Sequence, residues 1–145
     1  MKVRISSRLL ADEPMDNNSY IVISITGHED NYDAGFALTP DQSSKCKGVL
    51  KLRFDDITED IGTYLKAITK EQALLIRAFI NCHKDTVDYL LVNCEAGISR
   101  SAAIAAAALY LDGQDPNIIF NDPNYIPNTT VYKRVTGIWD YWETT

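Results

Sequence analysis

The chain has 145 residues, 46% of them hydrophobic and 23% charged, which excludes a disordered polymer and allows a single domain over 1–145 with its own core. A formal charge of −6 argues against a nucleic-acid binder working through a broad basic face, and confines any anion site to a local positive spot. Cys46, Cys82 and Cys94 are scattered and odd in number, which predicts free thiols in a reducing cytoplasm, and no spacing of Cys and His suits zinc.

Met1 to Leu10 alternates weakly and predicts a first strand; with its charges, no secretory leader is expected there. Ala11 to Ser19 has turn composition. Tyr20 to Thr26 is rich in β-branched residues and predicts a strong strand. Gly27 to Lys47 is a long polar connection, in which His28 and the acidic Glu29, Asp30 and Asp33 read as solvated surface. Gly48 to Phe54 alternates enough for a third strand, and Asp55 and Asp56 follow it. Thr69-Lys70-Glu71-Gln72 matches a capping box. The helix it opens carries an apolar stripe of Ala73, Leu74, Ile76, Ala78, Phe79 and Ile80 and should return the chain to the sheet as a crossover. Cys82 reads as packing, and His83 and Lys84 suit the negative end of that helix.

Tyr89 to Val92 is a short apolar run that suits a buried parallel strand. Asn93 and Cys94 close it, Glu95 to Ser99 form a small-residue turn, and Ala102 to Leu111 is an Ala-rich helix, too short to span a bilayer. Asp112-Gly113 ends that helix, and the Pro- and Asn-rich stretch from Asp115 to Asn128 reads as loop. Asn128 can cap a last helix over Thr129 to Glu143, with Val131, Val135, Ile138, Trp139 and Trp142 as its core side. These elements add up to an α/β fold: a central, mostly parallel sheet of about four strands flanked by helices on both faces.

The turn between the Tyr89 strand and the Ala-rich helix carries the chemistry. A loop entering a helix N-terminus aims backbone N–H groups at one point, where the dipole favours an anion. Cys94 opens that loop in the same field, which favours a thiolate nucleophile. Arg100 can fold a planar fork over two phosphate oxygens, and Ser101 can offer its hydroxyl to the sulfur. The run Cys94-Glu95-Ala96-Gly97-Ile98-Ser99-Arg100-Ser101 resembles the signature loop of the cysteine-dependent protein tyrosine phosphatases, closest to the dual-specificity branch. That family usually has His before the Cys, where this chain has Asn93. The resemblance implies the tyrosine phosphatase fold, and it implies that Glu95 to Arg100 bind substrate phosphate. It also implies a general acid at the end of a strand, which falls on Asp56 of Leu52-Arg53-Phe54-Asp55-Asp56, with Asp55 the neighbouring candidate.

The expected reaction is hydrolysis of a phosphomonoester through a cysteinyl-phosphate, with no metal and no cofactor. The expected partner is a phosphorylated protein or a small phosphomonoester, with no nucleic acid and no membrane. Glu95, the absence of Lys from the loop and the net negative charge favour phosphotyrosine on a protein, with phosphoserine and phosphothreonine open beside it, over polyanionic lipids or RNA ends. Two alternatives stay open at this point. One is a catalytically weak phosphate-binding module; the other is a Cys-loop sulfurtransferase or arsenate reductase, which would want a resolving thiol.

Overall fold

A computed structural model describes residues 1–7, 18–27, 45–63 and 65–138. Its elements run β1 (Lys2–Ser7), β2 (Tyr20–Thr26), β3 (Cys46–Arg53), α1 (Lys70–His83), β4 (Tyr89–Cys94), α2 (Arg100–Leu111), α3 (Asn117–Phe120) and α4 (Thr129–Thr136). The strands form one sheet in the order β1-β4-β2-β3, and every neighbouring pair is parallel. All of β2 is buried, as expected of an inner parallel strand whose residues are β-branched on both faces. The expected α/β class and largely parallel four-stranded sheet are therefore observed.

The main core lies on one face. Ile21, Ile23 and Ile25 of β2 and Leu90 and Val92 of β4 meet Ala73, Ile76 and Ile80 of α1, the sheet side of α2, and Val131 and Val135 of α4. A second cluster of Ala102, Ala106, Leu109 and Ile119 joins α2 to α3 beside Val3 and Ile5 of β1. Among the described residues all four helices gather on this side, not on both faces as expected. The opposite face carries Tyr20, Val22, Cys46 and Leu91, with Val49 and Tyr89 against them. The alanines explain the centrality of α2: residues 102 to 108 are fully buried, and their small side chains let sheet and neighbouring helices close on the backbone.

The capping box of α1 is present. Gln72 N–H donates to Thr69 Oγ1 at 3.1 Å, and Thr69 N–H donates to Gln72 Oε1 at 2.9 Å. The remaining Gln72 amide donates to the Arg53 carbonyl at 2.8 Å, so the same side chain ties α1 to the end of β3. The buried stripe of α1 is narrower than expected, because Leu74 and Ala78 face solvent and only Ala73, Ile76 and Ile80 are buried. Cys82, expected to pack, is exposed. Lys84 serves a different helix end from the one expected: its Nζ donates to the Leu111 carbonyl at 2.9 Å, at the terminus of α2.

The stretch from Asp115 to Asn128, expected to be all loop, contains the single turn of α3, started by Asp115 Oδ1 accepting from Asn117 N–H at 2.9 Å. Helix α4 stops at Thr136, where Gly137 adopts φ 79°, rather than continuing to Glu143. Trp139 and Trp142, like His28, Glu29, Asp30 and Asp33, lie outside the described residues. No described helix is long and apolar enough to cross a membrane.

One position controls how β4 turns into α2. Gly97 has φ 72°, and a Cβ there would stand 2.7 Å from the Ser6 carbonyl carbon and from the Ser7 nitrogen. The turn therefore lies directly on the backbone end of β1, whose Ser7 pairs with Cys94. Two outcomes follow for stability. Thr69→Ala should cost about 1 kcal/mol by removing the cap acceptor, lowering Tm by roughly 2–6 °C in thermal unfolding. Gly97→Ala should cost more, on the order of 2–3 kcal/mol, because the strained φ and the backbone clash act together. A Gly97→Ala Tm equal to wild type would show that the turn does not sit against β1.

Candidate active site

Strand β4 delivers Cys94 to the C-terminal edge of the sheet, where crossover topology leaves a crevice. The residue is only 2% exposed and packs with the main core, and it also borders a cavity of about 340 Å3. Two groups approach the sulfur. Gly97 N–H donates to Sγ at 3.3 Å, and Ser101 Oγ lies 3.1 Å from it. Ser101 is fully buried in the first turn of α2, so its hydroxyl sits behind the sulfur rather than on the open side.

Arg100 begins α2 and is 7% exposed. Its Nη1 donates to the Phe54 carbonyl at 3.0 Å. A hydrogen bond from a charged donor contributes roughly 1.5–3 kcal/mol, enough to hold the long side chain along the cavity wall. The bond also fixes where the chain leaves β3. Phe54 itself is fully buried, and its N–H donates to the Thr26 carbonyl at 2.8 Å.

Beyond Phe54 the chain leaves the sheet in a tight turn centred on Asp56, closed by Ile57 N–H donating to the Asp55 carbonyl at 2.9 Å. Asp55 turns inward: it is buried, and its Oδ2 accepts from Lys66 N–H at 2.7 Å while its own N–H donates to the Lys66 carbonyl. It closes the 55–66 excursion. Asp56 turns the other way and lines the cavity with Cys94 and Arg100. Its Oδ1 accepts from Ser99 Oγ at 2.8 Å and from Asn128 Nδ2 at 3.0 Å. Ser99 is the N-cap residue of α2 but makes no side-chain cap bond; its hydroxyl goes to Asp56 instead.

The cavity is lined by Asp56, Cys94, Glu95, Ala96, Ile98, Ser99, Arg100 and Ile126. Arg100 is the one base in that set, beside the acids Asp56 and Glu95. The apolar members Ile98 and Ile126 are 42% and 74% exposed and stand at its mouth, joined by Ile126 N–H donating to the Ile98 carbonyl at 3.1 Å. Of the residues singled out in the sequence, Gly97 and Ser101 lie beneath the loop and the others from the 94–100 run line the cavity.

Asn93 points away from Cys94, as alternation along β4 requires. It is buried and accepts from Ser24 Oγ of β2 at 2.7 Å. Neither other cysteine lines the cavity. Cys46 is buried with Tyr20 and Val22 on the opposite face of the sheet, and burial pushes its thiol up, against weaker opposing hydrogen bonds from Gly48 and Tyr20. Sequence reasoning missed Ile126 altogether and took Asn128 for a helix cap alone. The Pro127-Asn128 pair announces a helix start, but nothing local tells that the same amide reaches Asp56.

No protein-family model matches the chain, and no curated protein matches it. Solved structures do share its fold. PTPMT1 in complex with PI(5)P superposes with a TM-score of 0.61 at 16% identity, over 99% of this chain and 93% of that one. Tk-PTP in its active form gives 0.59 at 19% identity, over 94% and 92%. The human tyrosine phosphatase-like serine/threonine/tyrosine-interacting protein gives 0.57 at 17% identity, over 87% and 80%. At these identities the likeness establishes the architecture, and the chain has a tyrosine phosphatase-like fold.

Proposed function

We propose that the chain is a cysteine-dependent phosphomonoesterase of the protein tyrosine or dual-specificity type, working in the cytoplasm as a single phosphatase-like domain. The observation that carries this reading is the meeting of Cys94, Arg100 and Asp56 around one cavity at the N-terminus of α2. A thiolate at Cys94 attacks phosphorus in line. The 95–99 loop and Arg100 hold the equatorial oxygens while charge redistributes. Asp56 gives its proton to the departing oxygen, and a cysteinyl-phosphate forms. The same carboxylate then takes a proton from water as the water displaces the sulfur, and Ser101, 3.1 Å from Sγ, eases departure of the thiolate. Asp55 is unsuited to the role, because Lys66 N–H occupies it away from the cavity.

The lining supports an aryl phosphate on a protein as substrate. Ile98 and Ile126 offer apolar contact to a ring at the mouth, and a single base beside two acids favours one phosphate over a polyanion. In this respect the chain would differ from PTPMT1, which was crystallised with PI(5)P. Arsenate reduction is less well supported, since neither Cys46 nor Cys82 lines the cavity as a resolving thiol would.

The test is release of phosphate from an aryl phosphate and from phosphotyrosine and phosphoserine peptides. Wild type should turn over with chelator present and prefer phosphotyrosine. Cys94→Ser should abolish turnover while retaining phosphate binding, and Asp56→Asn should lower kcat by about 10²–10⁴-fold on poor leaving groups. Binding without turnover in the wild type would instead identify a phosphate-binding module. Alkylation mapped by mass spectrometry gives an independent check. Inorganic phosphate should protect Cys94, leave labelling of exposed Cys82 unaffected, and find Cys46 unlabelled in either case. Equal labelling of Cys94 with and without phosphate would remove the anion site from the loop.

A further inference from the structure

Asn128 uses every polar group it has. Its Oδ1 accepts from Val131 N–H at 3.1 Å and caps α4. Its Nδ2 donates to Asp56 Oδ1 at 3.0 Å and to the Ile57 carbonyl at 3.1 Å. Its backbone N–H donates to the Ser99 carbonyl at 3.2 Å, and its carbonyl accepts from Tyr132 N–H at 3.1 Å. The side chain is buried, at 7% exposure. The orientation of the amide follows from its surroundings: one side meets an N–H of α4, the other meets a carboxylate and a carbonyl, so oxygen must face the helix and nitrogen must face Asp56. No other common side chain accepts toward a helix start and donates twice in the opposite direction from one short, planar group.

The consequence falls on Asp56. Oδ1 already accepts two hydrogen bonds, from Ser99 and Asn128, whereas a protonated carboxyl must place its proton on an oxygen with room for it. We infer that Asn128, together with Ser99, is a positioning residue for the acid: it holds Oδ1 so that Oδ2 carries the proton passed to the leaving group. The inference rests on the reading of Asp56 as general acid and adds which oxygen acts and what aims it. The transfer itself is balanced: the Oδ2–H bond breaks as the leaving oxygen gains the proton, and Asp56 is left as carboxylate. A proton-transfer group displaced by about 1 Å can lose on the order of 10²-fold in rate, so a lost aiming contact has measurable reach.

The experiment compares kcat/KM, which reports the step in which the leaving group departs, across aryl phosphates whose leaving phenols run from strongly to weakly acidic, for wild type, Asp56→Asn, Asn128→Ser, Ser99→Ala and the Asn128→Ser/Ser99→Ala double variant. Serine keeps the cap of α4, since Asn and Ser serve equally there, but is too short to reach Asp56. Thermal unfolding checks that the cap and fold survive. For Asn128→Ser the ratio of kcat/KM on the best leaving group to kcat/KM on the worst should widen by about tenfold over wild type. The double variant should approach the steep leaving-group dependence of Asp56→Asn. A uniform fall across all leaving groups, or a wild-type ratio, in Asn128→Ser overturns the inference while Asp56→Asn still shows its steep dependence. A shallow, wild-type-like dependence in Asp56→Asn itself removes Asp56 as the acid and takes the inference with it.

Discussion

The site depends on a close contact between two pieces of backbone. The turn from β4 to α2 must bring Cys94 and Arg100 to one cavity within a few residues, and it does so by resting on the end of β1. Only a residue without Cβ can stand at Gly97, because the space is already filled by the Ser6–Ser7 peptide. That contact sets the height of the loop over the sheet. From that height the Gly97 N–H meets the sulfur and the first turn of α2 brings Ser101 behind it. An edge strand that reads only as weakly alternating therefore has a part in placing the nucleophile proposed here.

A second constraint acts from the other side. Phe54 is anchored twice, by its buried ring and by its backbone, and its carbonyl receives the Arg100 guanidinium. With Phe54 anchored, the Lys66 amide holds Asp55 inward, and the turn closed by Ile57 N–H on the Asp55 carbonyl leaves Asp56 on the cavity. Of the two adjacent aspartates, which the sequence separates only by a family resemblance, Asp56 lines the cavity and Asp55 is occupied by the Lys66 amide, and the proposed reading rests on that difference. Gln72 adds a further anchor by linking the start of α1 to the Arg53 carbonyl, one residue before Phe54.

Features legible in the sequence were those decided locally or by burial pattern. β2 and β4 were readable because their side chains are apolar on both faces, and the cap of α1 because Thr69 and Gln72 satisfy each other within one turn. The features that escaped depend on distant partners or on marginal local terms. Leu74 and Ala78 belong to an apolar run, but the run does not say how much of the helix perimeter the sheet covers. The one turn of α3 is too short for any periodicity to announce. Lys84 sits at the end of α1 in sequence and at the end of α2 in space. Asn128 shows the same limit most clearly: its cap bond lies three residues away, whereas its bond to Asp56 spans 72 residues of the chain.

That last pairing changes how stability and activity relate in this fold. Helix α4 packs into the core through Val131 and Val135, far from any reacting atom, and its first turn ends on Asn128. The same residue holds the Ser99 carbonyl of the loop and the Asp56 carboxylate. A shift of α4 would therefore move the Asp56 carboxylate and the Ser99 end of the loop together, before it reached the sulfur. Cys94 is instead referred to β4 and β1, through the sheet. On the proposed reading, nucleophile and acid are referred to different parts of the core, and two bonds brace them, Ser99 to Asp56 directly and Arg100 to Phe54 beside it. Substitutions under α4 should then act on protonation of the leaving group, and substitutions under the sheet on attack, even where both cost the same in folding free energy.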